Sequence, residues 1–300
     1  MIASTDYFPN NDMNLPADLN LNSRTVSVEK IGKKTGRFLL FIRCGQKCPL
    51  CLTDYFYDND IVIVISQYQP IEFTVHENFW LIKGGLSKFD SARLFFLEFP
   101  DMLHFESFAF FDPDVGISFY DLGALLRAGC SDGKTLYQGA VASDSSTYWE
   151  FLKSKQTNTW REVSFVEVMA PIFSKEGLLA VIDCFSDSTS TWGLEYYWYS
   201  KLKNFSMAVN DRFLIRHDSP VDITDGPFYR YLSTLGIDPF FELKKLKDAS
   251  VGNYFVECEI PKIMPLVYKK YYVLVLAYYV RHVEKLRHYF LRLLVRMKRG

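Results

Sequence analysis

The sequence predicts an α/β fold, a sheet covered on both faces and flanked by helices, with a basic amphipathic helix appended at the C-terminus. Two continuous apolar runs of strand length, 38–42 and 61–65, are the first observation behind this. Unbroken apolar strands suit a sheet buried on both sides, which is usually parallel. The second observation is the alternation of such runs with segments of helical character. The third is the tail, where Val283, Leu286, Phe290, Leu293, Leu294 and Met297 recur at helical spacing with Arg281, Lys285, His288, Arg292, Arg296 and Arg299 between them.

Taken in chain order, residues 1–25 are polar and rich in Asn and Asp, without the basic region or apolar run of a secretory signal. After the strands at 38–42 and 61–65, residues 79–82 read as a short strand and Lys83-Gly84-Gly85 as a turn. Residues 90–103 read as a helix with Leu94 and Leu97 inward, ended or kinked at Pro100. Residues 107–111 form a third strand, stopped by Asp112-Pro113-Asp114. Residues 119–127 are a helix closed by Gly129. Residues 136–142 and 165–173 look extended, the latter broken at Pro171. Ser174 is a candidate N-cap for a helix reaching about residue 185. A Ser/Thr-rich loop, 186–191, leads into Trp192-Gly193-Leu194-Glu195 and another aromatic helix, and short strands follow at 207–209 and 213–216. The expected organisation is a lead-in at 1–25, one domain at 26–255 and a helical tail at 256–300.

Apolar residues make up 49% of the 300, ample for a buried core. A mean hydropathy of −0.03 argues against an integral membrane protein, as does the lack of any apolar run near the roughly 18–20 residues that span a bilayer. The net charge of −1 hides an asymmetry: residues 261–300 hold ten Lys/Arg against one acid, Glu284, on an otherwise acidic chain. Tyr and Arg together in a basic helix suit a lipid headgroup interface. The expected setting is therefore cytoplasmic, peripheral on an anionic membrane surface. Nucleic acid is not an expected partner, because no base-reading motif accompanies the charge. Six cysteines at uneven spacing fit reduced thiols better than a disulfide framework.

Asp112-Pro113-Asp114 carries the first chemistry. On an extended backbone, residues i and i+2 project to one side, so both carboxylates can converge on a cation at the carboxyl end of a strand, where open α/β sheets bind ligands. Oxygen ligands suit Mg2+ or Mn2+. The same three residues also spell an ordinary turn.

The segment 165–175 (FVEVMAPIFSK), then Trp192-Gly193-Leu194-Glu195, then 213–217 (FLIRH), follow this step in order. Upstream lie 38–45 (FLLFIRCG) and 82–86 (IKGGL). The combination resembles a plant and bacterial family defined only as a domain of unknown function, which is itself similar to the GT-A class of glycosyltransferases. The likeness spans residues 36–220. Glu195 stands where the family has Asp, and Asp-Pro-Asp replaces a longer acidic run.

The resemblance implies a GT-A-like, Rossmann-like mixed sheet and metal-assisted transfer of a sugar from a nucleotide-sugar donor to a saccharide or lipid-linked acceptor, in surface polysaccharide assembly. It implies Asp112, Asp114 and His217 as ligands of Mn2+ or Mg2+, with Asp112 also serving the donor diphosphate. Glu195, favoured at a helix start by the dipole, is the candidate catalytic base, and Trp192 stacks on the acceptor sugar or fills the core. Arg43, Gly45, Lys83 and Gly84 are the donor-binding candidates, offering charge and close backbone approach. Glu167, inside an apolar segment, needs a partner.

Two other readings compete. Cys44, Cys48 and Cys51 have the spacing of radical S-adenosylmethionine enzymes, whose three thiolates hold an iron–sulfur cluster, although Leu50 and Leu86 depart from that pattern. The other is a membrane-bound scaffold without turnover.

Overall fold

The computed structural model describes residues 25–202 except 56, 146 and 148, together with 207–217, 227–251, 257, 259–260, 273, 276, 278–281 and 283. Its centre is a run of parallel strands: β2 (Phe38–Cys44), β3 (Ile61–Gln67), β4 (Trp80–Lys83) and β5 (Ser107–Phe111). Every residue of β2, β3 and β5 is buried, as the unbroken apolar runs require. β1 (Ser27–Lys30) closes one edge, antiparallel to β4.

Beyond β5 the sheet turns mixed. β9 (Ile172–Ser174) runs antiparallel between β5 and β7 (Leu136–Val141), and β10 (Met207–His217) lies parallel to β7. β8 (Trp160–Val163) and β11 (Glu259–Ile260) complete the order β1-β4-β3-β2-β5-β9-β7-β10-β8-β11, while β6 (Val115–Gly116) pairs with the far end of β10. The sheet thus runs past the boundary expected at 255/256. Arg161 ties this end together. Its guanidinium bridges Asp211 at 3.0 Å and Glu259 at 2.8 Å, with its own side chain only 3% exposed.

Helices flank the sheet: α1 (Lys88–Glu98), α2 (Phe119–Ser131), α3 (Lys175–Val181), α4 (Leu194–Lys201), α5 (Pro227–Thr234) and α6 (Pro239–Ser250). Side-chain caps set several starts. Ser87 accepts from the Asp90 N–H, Ser118 from Asp121 and Ser174 from Gly177, each satisfying an orphan amide of the first turn. Pro100 does end α1, and a 3-10 turn over Pro100–Leu103 takes up the remainder of the expected helix. The helix expected to reach residue 185 likewise tightens into a 3-10 turn at Ile182–Ser186. The expected strand at 165–173 survives only as β9; residues 164–171 are irregular, so Glu167 lies on a loop. The two short strands expected at 207–216 are one, with a bulge between Asn210 and Leu214. α5 and α6 have no counterpart in the sequence expectation.

Phe110 is the hub of the core. Its ring meets Phe41, Phe89, Phe173 and Phe185 at 6.0, 5.7, 5.9 and 5.5 Å. These contacts join β2, α1, β9 and the turn after α3 into one cluster, and Trp198 of α4 reaches the same cluster through Phe89 and Phe173. Most of the C-terminal basic helix lies outside the described residues. Residues 278–281 are helical there, and Tyr278 and Tyr279 are exposed. Among the described residues no helix is long and apolar enough to cross a membrane. Phe110→Ala should lower unfolding free energy by about 3–5 kcal/mol, measurable by urea denaturation.

Candidate active site

The carboxyl end of β5 and the far end of β10 meet at one place, and register explains it. In the β6–β10 ladder His217 stands opposite Val115, one residue after Asp114. The imidazole Nε2 therefore reaches Asp114 Oδ2 at 3.1 Å. The serine hydroxyl of Ser145 pins this strand end, accepting from His217 N–H at 2.7 Å and donating to its carbonyl at 3.0 Å.

Asp112-Pro113-Asp114 is a turn rather than extended strand, closed by Val115 N–H donating to the Asp112 carbonyl at 3.2 Å. The two acids flank this turn rather than alternating along a strand, and the expectation of an extended i, i+2 pair is corrected accordingly. Asp112 finds a partner that the sequence reading did not name. Lys88, the first residue of α1, donates from Nζ to Asp112 Oδ1 at 2.8 Å, to the Val168 carbonyl at 2.7 Å and to that of Met169 at 3.3 Å. Its side chain is 4% exposed, whereas Asp112 keeps 38% of its side chain open to solvent. A lysine at a helix N-terminus opposes the helix dipole. Asp112 supplies the countercharge that offsets this.

Charge states follow from these contacts. Burial raises the Asp112 carboxyl above its ordinary range, and Lys88 pulls against that shift. For Asp114 burial also works upward, but the bond and charge of His217 outweigh it and hold the carboxyl low. The Asp114 bond in turn raises the His217 imidazole, and burial lowers the Lys88 ammonium.

Two further acids border the cluster. Glu167 receives a bond from Thr147 Oγ1 at 3.4 Å, and its own N–H donates to Gln138 Oε1 at 3.0 Å. Burial pushes its carboxyl up to about 7. Glu195 lies in the first turn of α4, as expected, and accepts from Gly193 N–H at 3.0 Å. Desolvation overrides the helix dipole there: burial raises Glu195 to about 8, with the Glu167 charge adding to the shift. The expectation that the dipole favours the charged carboxylate here is outweighed by burial.

The loop before Glu195 is held from α6. Glu242 accepts from Ser188 Oγ at 2.9 Å, Thr189 N–H at 3.0 Å and Ser190 N–H at 2.7 Å. Trp192 leans edge-on against Phe240 at 5.2 Å and Tyr229 at 6.1 Å, half-buried, with its indole beside the α5–α6 layer.

The donor-binding candidates are placed differently from expectation. Arg43 is buried, donating to the carbonyls of Gly84 at 2.8 Å and Gly85 at 2.7 Å and to Ser66 Oγ at 3.2 Å, so it clamps the turn before α1. Gly84, at φ +131, has the Thr25 carbonyl 2.5 Å from where a Cβ would stand. Its open face is filled by the chain itself rather than kept for a ligand. Gly45 backs onto Tyr68, whose hydroxyl oxygen lies 2.9 Å from a built Cβ. Lys83 is exposed at the end of β4. The cation at the acids is Lys88, five positions on.

Cys44, Cys48 and Cys51 are free thiols, Cys44 and Cys51 wholly buried. Burial pushes Cys44 up to about 12 and raises Cys48 and Cys51, the reverse of the electropositive setting that favours thiolates.

The pH dependence of stability carries a signature of Glu195. The unfolded chain loses this proton near the ordinary glutamate value of 4.5, the folded chain only at about 8. Between those values the folded state holds the extra proton, so stability falls as pH rises, by up to about 1.4 kcal/mol per pH unit from this group. Glu195→Gln should flatten that slope in urea unfolding compared at about pH 5.5 and about pH 7.5.

No family model matches the chain, and no curated protein does. Among solved structures, the crystal structure of A197 from STIV is similar with a TM-score of 0.39 at 18% identity, covering 61% of this chain and 86% of that one.

Proposed function

We propose that the protein is a glycosyltransferase of GT-A-like architecture, moving a sugar from a nucleotide-sugar donor to a saccharide or lipid-linked acceptor. One observation carries the reading: Asp112, Asp114, Lys88, His217, Glu167 and Glu195 converge where β5 and β10 end, with perturbed ionisation throughout. Such clusters at the carboxyl edge of an α/β sheet mark sites built for chemistry.

Asp112, Asp114 and His217 offer two carboxylates and an imidazole, a donor set suited to Mn2+ or Mg2+. Among the described residues no group of three His, Cys, Asp or Glu is arranged to hold an ion unaided. A cation held here would be shared with the donor diphosphate, since Mg2+ is usually bound by one or two carboxylates plus substrate phosphates. The cation would offset charge on the departing nucleoside diphosphate.

The chain's own residues do the rest. Lys88 keeps Asp112 oriented. Glu195, with its pKa drawn close to working pH, takes the acceptor hydroxyl proton as that oxygen bonds the anomeric carbon and the bond to the diphosphate breaks. Trp192 offers a ring to the acceptor sugar. The basic tail brings the enzyme to an anionic membrane surface and so to lipid-linked acceptors.

A thermal-shift screen of nucleoside diphosphates and their sugars, with and without Mn2+, tests the reading. A specific donor at a hundred times its Kd stabilises by about 2.7 kcal/mol, and Asp114→Asn should abolish the shift. No response to any nucleotide would leave a scaffold in place of an enzyme. Removing residues 262–300 should release the protein from phosphatidylserine-containing vesicles in a sedimentation assay; retained binding would sink the membrane assignment.

A further inference from the structure

We propose that the outward face of α6 docks on an anionic lipid bilayer, with Phe240 and Phe241 at the headgroup–acyl boundary and Lys244 and Lys245 on the phosphates. The inference extends the membrane reading above. It adds to the tail a second contact surface, on the described fold.

α6 has two opposite faces. Inward, Leu246 is buried, with its Cβ 2.9 Å from where a Cβ on Gly193 would lie and the Leu243 Cα at 3.2 Å from the same point. Glu242 faces the same way and takes the three bonds of the Ser188–Ser190 loop. With 3.6 residues per turn, these positions leave Phe240, Phe241, Lys244 and Lys245 on the other side, and all four are exposed. Phe240 is 46% and Phe241 56% open to solvent. The Asp238 carboxylate accepts from Phe240 N–H at 2.9 Å, which fixes the helix tip carrying both rings.

Ring contacts continue from Phe240 through Trp192, Tyr229 and Phe228 to Tyr231, itself 38% exposed. Charge then selects the occupant. A lysine stands one turn behind each exposed phenylalanine, at 244 behind 240 and at 245 behind 241. Protein interfaces are depleted of lysine, whereas bilayer surfaces take rings at headgroup level beside cations that reach the phosphates. Lys244 does bridge Asp248 at 2.7 Å, but both partners are exposed, 63% and 49%, and such a pair holds weakly. Docking here sets Trp192, three residues before Glu195, at the surface from which a lipid-linked acceptor would come.

The test is sedimentation of the full chain with vesicles of phosphatidylcholine and about one third phosphatidylserine, read beside hydrogen–deuterium exchange of residues 238–250. Wild type should bind, and the α6 amides should exchange several-fold more slowly on the vesicles. The pair Phe240→Ser and Phe241→Ser should weaken binding at least about tenfold and abolish that protection. The pair Lys244→Gln and Lys245→Gln should weaken it about tenfold on these vesicles. All four changes are at exposed positions, and unaltered thermal unfolding checks that each variant keeps its fold.

The proposal is overturned if either variant binds these vesicles as wild type does, or if vesicles leave α6 exchange unchanged. It is also overturned, in favour of a second copy of the chain, if raising protein concentration alone protects α6 and the phenylalanine changes dissolve the oligomer. Failure of the tail assignment looks different. Removing residues 262–300 would then leave vesicle binding intact, with α6 still protected.

Discussion

The buried ammonium of Lys88 is the interaction on which the site depends. It joins three pieces of chain that have no covalent reason to be near one another: the start of α1, the end of β5 and the irregular stretch around Val168 and Met169. An ammonium withdrawn from water is tolerated only when its hydrogens are all matched and a countercharge is at hand. Asp112 supplies that charge, and two carbonyls supply the remaining acceptors. The order of the surrounding backbone is thus tied to the same atoms that make the site polar.

Around that pair, geometry and desolvation divide the acids into two kinds. Asp114 is held ionised by His217, while Glu167 and Glu195 are driven toward the neutral form by burial. Carboxyl groups of one chemical type thereby acquire different proton affinities within one cluster, which acid–base work at neutral pH requires. The positions come from the sheet. β5 delivers Asp112, the β6–β10 register delivers His217, and the first turn of α4 delivers Glu195.

Much of this was legible in the residues. The apolar runs at 38–42 and 61–65 announced buried strands because they are short for helices and, at 61–65, rich in β-branched residues. Asp112, Asp114 and His217 were singled out from motif order; the structure pairs Asp114 with His217, while Asp112 pairs with Lys88. Legibility failed where pairing is non-local. Lys83 and Lys88 are alike in sequence, and only the fold decides which one faces an acid. Arg43 and Gly84 read as ligand contacts, yet Arg43 spends its donors on the Gly84 and Gly85 carbonyls. The dipole argument for Glu195 was sound locally and lost to burial, a quantity no short window of sequence contains. α5 and α6 were missed because their apolar residues are largely exposed: Tyr231, Phe240 and Phe241 remain open to solvent.

The grip of Glu242 on the Ser188–Ser190 loop has a further consequence. A carboxylate that accepts three bonds from one short stretch of chain acts as a tether, and this tether starts on a helix near the C-terminal end of the fold. Tyr196, on the same helix as Glu195, is joined to Glu257 and Lys247. A shift of α6 would therefore be felt where Glu195 stands, so that this helix and the first turn of α4 are mechanically one piece.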